Sequence, residues 1–156
     1  MNSHSLLEGA MVDFVCKALN IHATNSLAAG ATTWYSMMYW KHASFVIELT
    51  TTTGDTLNVV KLWQATDSSG TGNKAITGYQ FAPTTTTVAG DKVTLEFDAS
   101  QLDWANGFCW IRPEIRASGG SVGTCNCVLI RSQPRYSYRS RSGAKVRLPQ
   151  DLDAAS

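Results

Sequence analysis

Apolar and polar residues alternate along most of the chain, which is the pattern of half-buried β-strands. The clearest example is 91–99, where Val93, Leu95 and Phe97 would share one face and polar residues the other. Similar patterning predicts further strands over 32–40, 44–50, 56–65, 74–81, 107–117 and 121–132. About seven strands at intervals of roughly 8–15 residues predict an all-β, antiparallel β-sandwich or barrel.

Proline and glycine refine this prediction. Pro113 lies inside 107–117, and proline cannot donate a hydrogen bond to a neighbouring strand. That segment is therefore expected to be an edge strand or to carry a bulge. Gly54 and the Gly119-Gly120 pair are expected to form turns between strands.

The N-terminal region allows two interpretations. Apolar residues over 6–19 recur at helical spacing, and Ser5 with Glu8 fits a capping box. From Asp13 onward the same residues could instead form the first strand. We expect an N-terminal arm over 1–13 with a possible short helix, a β-sandwich domain over 14–132 and a basic C-terminal tail over 133–156.

Composition supports a single β-rich domain. Charged residues make up 16% of the chain, below the usual quarter or so, and the net charge is +1. Neither a nucleic-acid nor a membrane partner is expected, because no overall basic excess and no long apolar run occur. The first 15 residues lack a basic region before an apolar run, so we expect no signal peptide and synthesis in the cytoplasm.

The sequence around the cysteines favours core packing over metal binding. Cys125 and Cys127 would share one face of a strand, as small core residues. A metal site is less favoured, because no histidine lies at partner spacing, and a disulfide remains the other alternative. We predict no metal and no cofactor.

No catalytic motif is present. His4, His22 and His42 do not form a ligand pair, and neither a nucleophile elbow nor a zinc-protease motif occurs. We therefore predict no catalytic residues and no enzymatic activity. A hydrolase on a similar scaffold would instead need a pocket of converging histidine or acidic side chains.

The loop in LWQATDSSGTGNKAITG, at 62–78, could suggest phosphate or calcium binding. Its glycines and Lys74 have the wrong spacing for a P-loop, and Asp67 is its single acid. We interpret it as a surface connection in which Gly70 and Gly72 adopt left-handed angles and Asp67 holds the turn.

Three segments are candidates for protein contacts, and one of them is the N-terminal arm over 1–13. The cluster TTWYSMMYW at 32–40 would put one face in the core and the other against a second subunit. The segment 131–147 carries six basic residues and no acid. It is either a solvated tail or a segment that orders on an acidic partner, with Tyr136 and Tyr138 as anchors.

The segment VKLWQATDSSGTGNKAI, with WYSMMYWKHASFVIEL before it and LDWANGF and Pro134-Arg135-Tyr136 after it, resembles small structural proteins of tailed bacteriophages. The resemblance runs from about Cys16 to Tyr138. It implies a head decoration or cement protein with a jelly-roll sandwich of about 7–8 strands, located on the capsid surface of the virion. Implied partners are the major capsid protein and the protein itself as a homotrimer. The contact candidates are Trp34, Tyr35, Met38, Trp40, Arg135, Tyr136, Tyr138, Arg139 and Arg141.

Two alternatives remain open at this point. One is a carbohydrate-binding or host-adhesion sandwich that would use Trp63 or Trp104 as an aromatic platform. The other is a head–tail connector or tail protein of the same virion.

Overall fold

The computed structural model describes residues 9–21, 33–51, 57–81, 90–117 and 123–135. Two 3₁₀ turns, Ala99–Gln101 and Trp104–Asn106, follow the sixth strand. The described strands are β1 (Ala10–Ile21), β2 (Tyr35–Ser36), β3 (Trp40–Thr51), β4 (Leu57–Ala65), β5 (Lys74–Phe81), β6 (Lys92–Asp98), β7 (Trp110–Ala117) and β8 (Gly123–Pro134).

The strands form two antiparallel sheets with the orders β1-β8-β3-β6 and β2-β7-β4-β5. Each sheet takes strands alternately from the two ends of the chain, so sequence neighbours such as β1 and β2 lie in opposite sheets. This is the strand order of a jelly roll, in which two Greek keys close over one core. The predicted all-β antiparallel sandwich is confirmed.

Alternation decides which side chains enter the core. In β6, Leu95 and Phe97 are buried and their neighbours Glu96 and Asp98 are exposed, as predicted. In β8 every second side chain from Gly123 to Arg131 is buried. Cys125 and Cys127 therefore lie in the core as free thiols, which confirms the predicted packing role.

From Ala10 onward the N-terminal apolar stripe forms a strand, and residues 6–8 of the stripe lie outside the described residues. β1 begins at Ala10, inside the predicted arm, and pairs with β8 along most of its length. The ladder with β8 pairs the backbone groups on one side of β1, so a tertiary contact overrides the local helical spacing. β8 continues to Pro134, two residues past the predicted end of the sandwich domain.

The predicted strand over 32–40 is only partly formed: Met38 and Tyr39 lie in a turn, and Trp40 begins β3. Only Tyr35 and Ser36 form β2, and the backbone N–H of Trp40 donates to the carbonyl of Met37 at 3.1 Å. β2 pairs with β7 at its first two residues alone. Further along β7, Pro113 faces Leu62 of β4 and has no described strand on its other side, which explains how proline fits there.

A buried arginine joins the two sheets. Arg131 of β8 is 7% exposed, and its Nη2 donates to Asp13 Oδ2 of β1 at 2.7 Å. Its Nη1 donates to the backbone oxygen of Ser36 in β2, also at 2.7 Å. The guanidinium is thus held by β1 and β2 together, and it fixes the start of β1 against the opposite sheet.

Candidate docking surface

The large apolar side chains that are exposed among the described residues fall into two short segments. Phe14 is 79% exposed, and Met11 and Val12 of the same strand are 45% and 49% exposed. Met38 and Tyr39, in the turn between β2 and β3, are 46% and 45% exposed. We call these five residues the β1 corner.

A chain of contacts places both segments at the same end of the sandwich. Arg131 Nη2 lies 3.2 Å from the sulfur of Met11, while Nη1 of the same guanidinium binds Ser36. The backbone N–H of Met38 donates in turn to the hydroxyl of Ser36 at 3.2 Å. The start of β1 and the β2–β3 turn are therefore neighbours around one guanidinium.

The β1 corner continues onto the outer face of the sheet β1-β8-β3-β6. Val12 is paired with Ile130, Phe14 with Val128, and Val128 with Val46 of β3. Because paired residues share a face, all five side chains point away from the core. Half-buried valines and an isoleucine thus extend the exposed apolar surface across three strands.

β1 is an edge strand in the described part of the sandwich. Its register with β8 is regular from Ala10 to Phe14 and irregular between Phe14 and Cys16 and between Cys16 and Leu19. Bulges of this kind discourage further strand pairing, whereas a regular apolar edge invites it. The part of the edge open to another strand is therefore Ala10–Phe14, which is also where the exposed side chains lie.

The structure separates the predicted contact residues. Trp34 and Tyr35 are 5% and 8% exposed and pack within the monomer, whereas Met38 is part of the β1 corner. Trp40 packs against the core. Arg135 is half-buried. Its Nε donates to the carbonyl of Trp40 at 3.1 Å. The remaining candidates lie outside the described residues: Tyr136, Tyr138, Arg139 and Arg141.

Trp34 packs against the loop between β4 and β5. The indole lies so close to Gly70 that a Cβ added there would be 2.5 Å from Trp34 Nε1. The guanidinium of Arg112 lies 4.5 Å from the ring centroid. Trp34 is therefore enclosed by the monomer, with one ring contact to a cation.

The loop itself has the predicted structure. Gly70 and Gly72 have φ angles of 83° and 63°. The backbone N–H groups of Ser69 and Thr71 donate to Asp67 Oδ1 at 2.8 and 3.0 Å. Hydrogen bonds from Thr71, through its side chain first and its backbone second, lower the pKa of Asp67. The carboxylate is thus engaged by its own turn.

Lys74, at the end of this loop, pairs with an acidic side chain outside the loop. Its Nζ lies 2.5 Å from Asp103 Oδ2 and 4.2 Å from the ring centroid of Phe108. The hydrogen bond from Lys74, followed by that from Asn106, lowers the pKa of Asp103. Lys74 therefore links the loop to the segment after β6.

Neither tryptophan proposed as a sugar platform has a free indole N–H. Trp63 Nε1 donates to Glu114 Oε2 at 2.6 Å, and Lys61 Nζ lies 4.6 Å from the ring. Trp104 Nε1 donates to the carbonyl of Ala99 at 2.5 Å, and Arg135 lies 4.0 Å from the ring. A stacking platform needs an open ring face, so these contacts weigh against the carbohydrate-binding alternative.

Titratable groups in the described part of the chain do not converge on a metal site: no group of three or more His, Cys, Asp or Glu side chains there could hold an ion. Burial raises the pKa of the Cys127 thiol, and a hydrogen bond with Cys16 followed by burial raises that of Cys125. The same hydrogen bond lowers the pKa of Cys16.

Within the described residues, no helix is long and apolar enough to cross a membrane.

Sequence reasoning did not identify the β1 corner as part of a regular strand. Met11 and Val12 were assigned to the arm over 1–13, a candidate shell contact, and Met11 and Phe14 to a possible helical stripe. The signal that could have found them is Met-Val-Asp-Phe, where apolar residues occupy both faces of any strand through that position. A strand with apolar residues on both faces needs a second covering surface.

Comparison with protein-family models and with curated proteins found no match. Among solved structures, the chain is similar to one from a study titled "Bacillus endospore appendages form a novel family of disulfide-linked pili". The alignment has 15% identity and a TM-score of 0.41, and it covers 80% of this chain and 88% of the other. At these values the similarity identifies neither a family nor a function for this chain.

Proposed function

We propose that this protein is a non-catalytic structural subunit that binds other protein subunits within a large assembly. The observation that carries the proposal is the β1 corner, where Phe14 is 79% exposed beside Met11 and Val12. Monomeric proteins rarely leave such apolar surface uncovered, and exposed clusters of this kind mark contact sites. The partner would bury Phe14 and the apolar strip behind it.

The interior of the domain suits this role. A docking module must present its surface without rearrangement, and here Arg131 ties β1 to both sheets. The β4–β5 loop is held by Asp67 and covered by Trp34. These contacts hold β1 and the β4–β5 loop in fixed positions within the domain.

The specific assembly we propose is the head of a tailed bacteriophage, with the protein acting as a decoration or cement protein on the major capsid protein. The phage-like segment over 60–76 and the basic run over 131–147 support this proposal. A subunit that binds only the assembled shell stabilises that shell by mass action. The basic run is the proposed shell contact, and no cofactor, nucleic acid or membrane takes part.

The test is to locate the protein in purified phage particles by mass spectrometry and cryo-electron microscopy. We expect copies spread over the whole head surface. A few copies at one vertex would assign it to the head–tail junction, and absence from particles would overturn the virion role.

Binding to shells can be measured directly with the full-length protein. Wild type should cosediment with heads that lack it, and replacing both Arg139 and Arg141 by Gln should weaken binding and reduce its salt dependence. A matched control replaces Lys61 and Lys92, two cations outside the basic run, by Gln. Equal loss in both variants would contradict the proposed shell contact.

A further inference from the structure

We infer that the occupant of the β1 corner is a second copy of this chain, paired through β1 about a two-fold axis that passes beside Val12. The inference rests on the proposed function, because it names the first partner of the same surface. It differs from the homotrimer that the phage resemblance implies.

The edge of β1 that is open among the described residues favours an extended partner. Residues Ala10–Phe14 form a regular ladder with β8 on one side and face no described strand on the other. Edges of this length and apolarity are sites of strand addition unless bulges, charges or prolines block them. Asp13 is the charged residue in this stretch, and its carboxylate is bound by Arg131. The irregular register with β8 begins only after Phe14. Another β1 offers a strand of the same length.

Charge selects the register of the pairing. If the axis passed beside Asp13, the two Asp13 carboxylates would face each other, which is unfavourable for like charges. An axis beside Phe14 would extend the pairing into the irregular part of β1. An axis beside Val12 avoids both, because it places Asp13 opposite Met11 of the partner subunit.

This register also brings exposed side chains of the two copies into contact. Val12 would face Val12 of the partner subunit, and Phe14 would face Ala10 of the partner subunit on the same outer side. The apolar strips on the two outer faces would then join into one surface. Side chains of this size on both copies would bury on the order of 1,000 Å² in total, at the low end for specific complexes. We therefore expect a dimer that dissociates on dilution.

The closing experiment uses the fact that, in this register, position 12 faces itself. Sedimentation equilibrium of the full-length protein should show a concentration-dependent dimer. Val12→Lys and Val12→Glu should each raise the dimer dissociation constant, on the order of tenfold or more, because each places like charges opposite each other. An equimolar mixture of the two variants should form dimers again. The control Thr94→Lys, at an exposed position of β6 on the same outer face, should leave the dimer intact.

The possible outcomes separate this inference from the proposed function. A wild type that is monomeric at all concentrations, or trimeric, overturns the pairing. So do variants at position 12 that dimerise like wild type, or a mixture that stays monomeric while both variants keep the wild-type circular dichroism spectrum. A dimer that is absent from phage particles supports the pairing and overturns the virion role, and a monomer found on particles does the reverse.

Discussion

Replacing Gly70 by Ala should destabilise the domain by two separable effects. Gly70 has a φ of 83°, which costs an L-residue roughly 1 kcal/mol or more. The added Cβ would also lie 2.5, 2.8 and 2.9 Å from three atoms of the Trp34 indole. Overpacking of this kind costs about 1–3 kcal/mol, because the ring and the loop must both shift. We expect a total loss of about 2–4 kcal/mol.

Gly72 provides the matched control within the same loop. It too has a positive φ, of 63°, but a Cβ there would meet no atom within 4 Å. Gly72→Ala should therefore show the backbone cost alone, about 1 kcal/mol. The difference between the two variants measures the contact between Gly70 and Trp34.

The assay is urea unfolding of the full-length protein followed by circular dichroism, with thermal melts in parallel. For a chain of this size about 1 kcal/mol corresponds to ~2–4 °C in Tm, so Gly70→Ala should melt roughly 4–16 °C below wild type. In a Trp34→Ala background the cost of Gly70→Ala should fall to that of Gly72→Ala. Equal costs for the two glycine variants in the wild-type background would refute the packing of Trp34 on the loop.

Three further predictions concern the contacts of Arg131, the carboxylates of Asp67 and Asp103, and the cysteine thiols. Arg131→Met should cost about 2–4 kcal/mol in urea unfolding, because it leaves Asp13 and the Ser36 carbonyl without their partner, whereas Lys92→Met, at an exposed pair, should cost under about 0.5 kcal/mol. An equal loss of unfolding free energy in both variants would contradict the role assigned to Arg131. The folded state lowers the pKa of Asp67 and Asp103, so the stability they contribute is present at neutral pH and is lost as the pH falls below the ordinary value of 3.8. Asp67→Asn and Asp103→Asn should flatten that acid dependence of the urea midpoint, and an unchanged profile would speak against these bonds. Finally, Cys125 and Cys127 should resist iodoacetamide in the native state while Cys16 reacts first, since the two buried thiols have raised pKa values and that of Cys16 is lowered. Peptide mapping that finds Cys127 alkylated before Cys16 would contradict this order.

Much of the fold could be predicted because the strands have period-two patterns of their own. The segments that became β3 to β8 alternate strongly enough for local sequence to place them within a few residues. The loop at 66–73 was also predictable, since Asp67, Gly70 and Gly72 form a turn through contacts within eight residues of chain.

The candidate docking surface was less predictable, because it depends on which strands meet. Trp34 and Met38 are equally apolar and only four residues apart, yet one is buried against Gly70 and the other is exposed. Nothing in their local sequence separates them, since burial is decided by the loop and the turn that approach each side chain. Met38 was the predicted contact that the structure places at the surface.

The β-rich sandwich and the hydrogen-bonded loop between β4 and β5 could be predicted from alternation and turn chemistry, which act over a few neighbouring residues. Local sequence did not predict that β1 is a strand at the edge of a sheet or that Phe14 faces outward. Both depend on pairing with β8, more than 100 residues away along the chain. The residues next to an apolar side chain do not determine which face of its strand remains exposed.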